Sequence, residues 1–336
     1  LGLGPFGFQP SEFFKISYII ILSLIIDRYK RFLNNPVFLG ILFIFTLIPM
    51  GLIMMQPDLG TSTVLIPIYF IVLFISGANI EYLLILASIF LVTIFTAMLP
   101  AWMNFIAQKE IIWIELLQDN IFVLVFCASM FLITALASIG RFVLKKQMFT
   151  IPFIISTIMG AGTLGGFAAS KVLKDYQMMR LVVFMDPNID PRGVGWNILQ
   201  SLTAVGSGGL FGKGYLGGTH SHYQYIPQQT TDFIFSIIAE EWGFFGAIIV
   251  FSLFMIITFR AVVIMRRAKD HFGAYLAAGV LAMIFYHFVI NIGMAIGLMP
   301  ITGLPLFFVS YGGSSLWTGL IAIGILQSVY RHRYSF

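Results

Sequence analysis

Residues 233–257 read FIFSIIAEEWGFFGAIIVFSLFMII, an apolar run whose only charges are Glu240 and Glu241. A helix crosses the hydrocarbon of a bilayer with about 20 apolar residues, so this run is long enough to span. Eight further apolar runs surround it, near 13–26, 37–55, 62–77, 82–102, 121–139, 149–172, 274–299 and 316–329. Together they predict an all-α integral membrane protein, a polytopic bundle of about nine transmembrane spans. Composition agrees. Charged residues make up 10% of the chain and hydrophobic residues 59%, whereas a soluble domain carries roughly a quarter charged residues. The single cysteine, Cys127, lies inside a span, which excludes disulfide frameworks and cysteine metal sites. The chain opens Leu1-Gly2-Leu3-Gly4, with neither Met nor the charged start of a signal peptide. That is expected of the later part of a longer product.

The basic residues lie between spans rather than on a soluble face, so the net charge of +5 does not point to nucleic acid. Arg28, Lys30 and Arg31 form one cluster, and Arg141, Lys145 and Lys146 a second. Arg260, Arg266, Arg267 and Lys269 form a third, and Arg331 and Arg333 close the chain. If nine spans alternate, all four clusters fall on one side, which the positive-inside rule makes cytoplasmic. The opposite side receives the long stretch 171–232, expected as one external loop rich in Gly, Gln, Ser and Thr. That stretch also holds Lys171, Lys174, Arg180, Arg192 and Lys213. Two readings stand: a long loop translocated regardless of its charge, or an external basic surface for an anionic substrate. Residues 300–315, with Pro300, Gly303, Pro305, Gly312 and Gly313, are too apolar for a free loop. They are expected to re-enter the membrane against protein.

No phosphate loop, paired-histidine metal motif or Gly-x-Ser-x-Gly occurs. The glycine-rich string 206–214 reads either as a diphosphate cradle completed by Lys213 or as a turn where helices meet closely. Asp232 stands at the external start of the run 233–257, with Thr230 and Thr231 ahead of it as helix caps. An acid there is either a macrodipole partner in the first turn or a base at a membrane–water boundary. Glu240 and Glu241 lie on the order of 12 Å deeper, at 1.5 Å per residue. There an acid needs a partner or a polar cavity, so structural pairing and proton relay are both open. His287 and Asn291, spaced i and i+4, share one helix face as a packing pair or a substrate-lining pair. The turns at 9–12 and 56–60 carry Glu12 and Asp58, which are expected to face the same external cleft as Asp232.

Seven strings occur in an order that resembles the SEDS family of bacterial cell-wall glycosyltransferases, whose members include RodA, FtsW and SpoVE. They are FQPSEFFK (8–15), QPDLGTS (56–62), YQMMRLVVFMDPNIDPRGVGWNILQS (176–201) and AVGSGGLFGKG (204–214). TDFIFSIIAEEWG (231–243), NIGMAIGLMPITGLPL (291–306) and FVSYGGSS (308–315) follow. The AEEWG ending and the GLPL string lean toward the RodA branch. The resemblance implies polymerisation of glycan strands from lipid II on the outer face of the cytoplasmic membrane. It implies a class B penicillin-binding protein, a transpeptidase, as partner. The family's essential aspartate falls on Asp232. Attack of a sugar hydroxyl on an anomeric carbon needs a base near the hydroxyl and positive charge near the departing diphosphate. Arg180, Arg192 and Lys213 are candidates for that charge. Gln200, Ser201, Asp58, Glu12 and Lys15, inside the matching strings, are candidate substrate contacts. The resemblance also brings in a divalent cation, Mg or Mn, although no dedicated metal site is visible.

Three departures accompany the match. The family's spans ahead of FQPSE are absent. Residues 82–139 add two spans where the family usually has one span in all, an inserted hairpin that preserves topology because its span count is even. Gln228 and Thr230 stand where the family frequently has Glu and His, which bears on a proton relay there but not on Asp232. Two readings from other classes compete: a flippase for lipid-linked precursors, for which buried acids and broken helices are also expected, and a non-catalytic scaffold for a transpeptidase. The orientation is testable without activity. Cysteines placed at Lys30, Lys145 and Lys269 should resist an impermeant thiol reagent in intact cells, while one at Gln224 should react. Labelling of the first three would overturn the topology.

Overall fold

The structure, a computed structural model, describes residues 2–3, 6–7, 9–56, 58–107, 112–173, 175–222 and 230–333. Lys174, Gln224 and Gln228 lie outside the described residues. The helices are α1 (Pro10–Arg28), α2 (Pro36–Met55), α3 (Leu59–Ile75), α4 (Ile80–Trp102), α5 (Ile112–Leu116), α6 (Asn120–Ser138) and α7 (Thr150–Val172). They continue as α8 (Asp175–Met185), α9 (Val194–Ser207), α10 (Thr219–His222), α11 (Ile234–Arg266), α12 (His271–Ala295) and α13 (Gly313–His332). A two-residue antiparallel pairing of Gly2–Leu3 with Phe6–Gly7 precedes them.

Each of the nine expected spans has its helix: α1 to α4, α6, α7 and α11 to α13. Among the described residues six helices are long and apolar enough to cross a membrane, and α3 is a shorter apolar one. The two others are more polar. Glu12, Lys15, Asp27 and Arg28 lie in α1, and Ser314, Ser315 and Thr318 open α13. Capping sets several starts. Asn35 accepts from Val37 N ahead of α2, and Asp270 accepts from Gly273 N ahead of α12. The span expected to reach 299 stops at Ala295. Gly297 takes φ +72°, and Leu298 N returns to Gly293 O at 2.7 Å, a left-handed glycine closing the helix end.

The chain divides into two compact units, Leu1–Asn79 with Pro191–Phe336, and Ile80–Asp190. In the first, α12 is the central helix, packed by α1, α3, α9, α11 and α13. Hydroxyls tie its neighbours: Tyr18 Oη and Thr46 Oγ1 lie 2.6 Å apart, and Tyr69 Oη donates to Leu39 O at 2.8 Å. The stretch 171–232 is not the single loop expected, because α8, α9 and α10 form within it. The helix α9 buries Ile198, Ser201 and Ala204 and packs on α11 and α12.

The glycine-rich string is a strap around a break in α11. Gly243 sits at φ 64°, ψ −158°, which interrupts the helical ladder. The string supplies the missing partners: Lys213 N and Gly214 N donate to Glu240 O and Glu241 O, each at 3.0 Å. In return Phe244 N donates to Gly209 O at 2.9 Å. These amides are thus committed to the protein's own backbone, in line with the close-turn reading of the string.

In the second unit α7 packs along both α4 and α6. The expected hairpin 82–139 therefore does not stand by itself, because the third span is part of the same unit. The contact rests on small residues. A Cβ at Gly165 would meet Thr93 Oγ1 at 2.6 Å, and one at Gly162 would meet Val92 Cγ1 at 2.5 Å. Such close approach drives helix association where no hydrophobic effect separates helix from lipid. At the ends of this unit Arg141 pairs with Glu81 at 2.6 Å, and Lys171 donates to Asn120 Oδ1 at 2.7 Å. Replacing Gly165 with Leu should cost about 1–3 kcal/mol of stability, typical of overpacking. A denaturant titration in detergent reads this directly, and an unchanged midpoint would show that the α4 and α7 faces are not in contact.

Candidate active site

Asp232 does not lie in the first turn of α11. That helix begins at Ile234, its cap residue Phe233 makes no side-chain cap bond, and 230–232 form a turn ahead of it. The reason is where the carbonyls go. Thr230 O accepts from Tyr311 N at 2.9 Å, Thr231 O from Ser310 Oγ at 2.6 Å, and Asp232 O from Asn291 Nδ2 at 2.8 Å. Three successive carbonyls that could have opened a helical ladder are bound across the bundle instead. The segment 300–306 without regular structure closes the other side. Its Gly303 takes φ +79°, and a Cβ there would lie 3.3 Å from Asp232 Oδ2.

Beneath this turn runs a buried polar chain. Asn291 Nδ2 also donates to Leu304 O at 2.8 Å, and His287 Nδ1 lies 2.9 Å from Pro305 O. A carbonyl can only accept, so Nδ1 carries the proton and Nε2 presents its lone pair. Facing that lone pair at 3.0 Å is Lys15 Nζ, which also donates to Glu12 Oε1 at 2.8 Å. Lys15, His287 and Asn291 are fully buried, and Glu12 is 2% exposed. Glu12 is thus not on an external turn as expected. Because α1 begins at Pro10, Glu12 falls in its first turn and turns inward to Lys15. Glu12 Oε2 and Asn291 Oδ1 are buried acceptors with no donor among the described residues.

Asp58, also expected on the cleft, acts as a helix cap and a clasp. Its Oδ1 accepts from Thr61 N at 3.0 Å at the start of α3, and its Oδ2 accepts from Gln9 Nε2 at 2.6 Å. Gln9 N in turn donates to Ser314 Oγ at 3.0 Å. The starts of α1, α3 and α13 are therefore tied together at the end of the unit that carries Asp232.

Of the expected cations, Lys213 is committed elsewhere. Lys213 Nζ pairs with the fully buried Glu240 at 2.7 Å, and Thr219 Oγ1 and His220 N donate to the same oxygen, each at 3.1 Å. Glu240 thereby has the structural pairing weighed for it, and Glu241 is buried beside it. Arg192 is exposed just ahead of α9. Arg180 belongs to the other unit, its guanidinium 5.8 Å from the Tyr176 ring centroid. Ser201 is buried, 2.6 Å from Ser236 Oγ and donating to Ala295 O at 2.7 Å, so it joins α9 to α11 and α12. Its neighbour Gln200 is half-buried.

The family model FTSW_RODA_SPOVE, described as a cell cycle protein, matches residues 1–104 and 95–335. The chain belongs to this family. It is 42% identical over 335 residues to the peptidoglycan glycosyltransferase RodA of Treponema pallidum, covering 98% of this chain and 76% of that protein. It is 32% identical to the stage V sporulation protein E of Bacillus subtilis, covering 99% of this chain and 71% of the relative. A solved chain from a peptidoglycan synthase complex, reported for its coordination of polymerization and crosslinking, matches with a TM-score of 0.61 at 26% identity. That match covers 100% of this chain and 74% of the solved one.

For this member of the FtsW–RodA–SpoVE family, the groups that sequence reading did not place around Asp232 are Ser310, Gly303 and the carbonyls of Leu304 and Pro305. A signal was present, since all four stand in the strings GLPL and FVSYGGSS, but nothing in one sequence pairs them with Asp232. Among the described residues no group of three or more His, Cys, Asp or Glu could hold a metal ion. Glu12 is paired with Lys15, and Asp58 is occupied as a cap. The Lys213 pairing also changes what its removal should do. Breaking a buried pair typically costs about 3–5 kcal/mol. Lys213 is partly exposed, so the lower end is expected for Lys213→Ala, measured as lost detergent stability. Adding Glu240→Gln should restore much of it. A stable single variant with slowed turnover would return Lys213 to the substrate.

Proposed function

We propose that this chain is a peptidoglycan glycosyltransferase that joins lipid II units into glycan strands, with Asp232 as its general base. The observation that carries the base assignment is the three-donor hold on the backbone of 230–232, which fixes the peptide of this acid ahead of α11. A base held in this way contributes by geometry, because a proton acceptor works only within hydrogen-bond reach of the hydroxyl. In the reaction a sugar hydroxyl of one lipid-linked unit attacks the anomeric carbon of another. The carboxylate of Asp232 takes the hydroxyl proton as the new carbon–oxygen bond forms. The bond from that carbon to the diphosphate breaks, and the undecaprenyl diphosphate leaves with the electron pair.

A lipid-borne substrate accounts for a base at a membrane boundary rather than in a soluble cleft. Charge on the leaving diphosphate calls for a cation. With Lys213 held by Glu240, Arg192 is the stronger candidate within the unit that carries Asp232. The positive-inside distribution of Arg28, Lys30, Arg31, Lys269 and Arg331 supports an outer-face site. Within the first unit the contact of Lys30 Nζ with His271 Nε2, at 3.0 Å, marks the end of the helices away from Asp232. A class B penicillin-binding protein that crosslinks the nascent strand is the proposed partner. Similarity to a chain from a synthase complex that polymerizes and crosslinks supports it.

The test is Asp232→Asn, which keeps size but cannot accept the proton. The purified variant should fold and bind lipid II yet polymerise slower by on the order of 10²–10⁴-fold. Asp232→Glu should recover little, because misplacement by about 1 Å can cost 10²-fold. Near-normal strand synthesis by a stable Asp232→Asn protein would sink the assignment.

A further inference from the structure

We propose that Asn291 and Ser310 are positioning residues that set the Asp232 carboxylate for reaction, an inference that rests on Asp232 being the base. Each makes a bond to the backbone of the turn 230–232. The amide of Asn291 bridges Asp232 O and Leu304 O, both at 2.8 Å. Its two N–H groups are thus both used in tying the base's own peptide to the segment that faces the carboxylate. Ser310 Oγ accepts from Leu306 N at 2.8 Å and donates to Thr231 O at 2.6 Å. A hydroxyl has one proton, and here it is committed to the peptide next to Asp232.

The segment so tied cannot hold its shape through a helical ladder. Residues 300–306 have no regular structure, Gly303 is left-handed, and Phe308 takes φ +67°. A bulky residue in that region is an outlier that persists only where surroundings over-determine it. His287, through Pro305 O, and Asn291, through Leu304 O, are neighbours on one face of α12 and grip consecutive carbonyls of this segment. The place of Gly303 against Asp232 Oδ2 therefore depends on donors from α12 and from Ser310. Removing either donor takes a hydrogen bond away from the turn, and the turn can rotate to find another partner. The carboxylate then moves while its chemistry stays intact. That is the signature of positioning rather than of proton transfer.

The experiment is steady-state polymerisation of lipid II by the purified full chain. The proteins compared are wild type, Ser310→Ala, Ser310→Thr, Asn291→Leu, Asp232→Asn, and the double variants with Asp232→Asn. Detergent melting is followed in parallel. Ser310→Ala and Asn291→Leu should lower kcat about 10- to 100-fold, the scale of a misplaced catalytic group, with KM within about twofold of wild type. Ser310→Thr keeps the hydroxyl and should recover most of the rate. Neither substitution should slow Asp232→Asn further, because groups that act through one carboxylate lose their effect with it. Wild-type kcat in Ser310→Ala, a loss that Ser310→Thr fails to recover, or losses that multiply with that of Asp232→Asn would each overturn the positioning role. If Asn291→Leu does not accumulate, the Ser310 series decides. Full activity of Asp232→Asn overturns the base itself. An inactive Asp232→Asn beside an unaffected Ser310→Ala overturns positioning alone.

Discussion

A backbone N–H or C=O left without a partner in hydrocarbon costs several kcal/mol, and three irregular segments among the described residues have such groups taken up by their neighbours. At 230–232 the carbonyls are received by Tyr311, Ser310 and Asn291. At Gly243 the strap 209–214 exchanges bonds with 240–245. At 300–306 the side chains of His287 and Asn291 take the carbonyls of Pro305 and Leu304. Irregular backbone at membrane depth is tolerated only where protein covers it or a cavity lies beside it. Two of the three interruptions meet at Asp232. The need to satisfy broken helices and the need to hold a carboxylate still are therefore met by the same bonds.

The buried charges obey a related constraint. An unpaired ion inside a bundle is costly, so each needs a partner in good geometry. Lys15 with Glu12, and Lys213 with Glu240, meet that condition at 2.8 and 2.7 Å. Lys15 extends the first pair to His287 and so links α1 to the segment beside Asp232. The second pair holds the strap onto the broken helix. Lys15 and Lys213, which looked available to a substrate when considered singly, are thus consumed in pairs, while Arg192 is exposed and the turn that carries Asp232 is held through its carbonyls by Tyr311, Ser310 and Asn291.

A membrane bundle of this kind does not by itself specify chemistry. What narrows it is one carboxylate whose peptide is held just ahead of α11, together with relatives named as peptidoglycan glycosyltransferases. A diphosphate-linked lipid has its reacting carbon near the bilayer surface and its tail in the hydrocarbon. The placement of Asp232, at the open end of α11 rather than inside it, suits a substrate that remains in the membrane.

Read alone, the sequence determined the fold class, the apolar runs that become helices and the candidacy of Asp232. Each follows from local information: the length of an apolar run, the charge between runs, and a string that recognisably belongs to one family. The hydrocarbon imposes those signals residue by residue, so they survive without contacts. Only the tertiary structure decided which polar groups pair. Lys213 with Glu240 is a contact 27 residues apart, Asn291 with the Asp232 carbonyl 59, and Lys15 with His287 272. Glu12 and Asp58 looked like cleft acids because both follow proline turns, yet helix starts at Pro10 and Leu59 turned one inward and made the other a cap. The stretch 171–232 looked like a loop because α9 is short and bounded by glycines, and its helix gains its stability from packing on α11 and α12. Long-range pairing of buried polar groups carries no periodicity and no local composition, because it is set by which helices become neighbours.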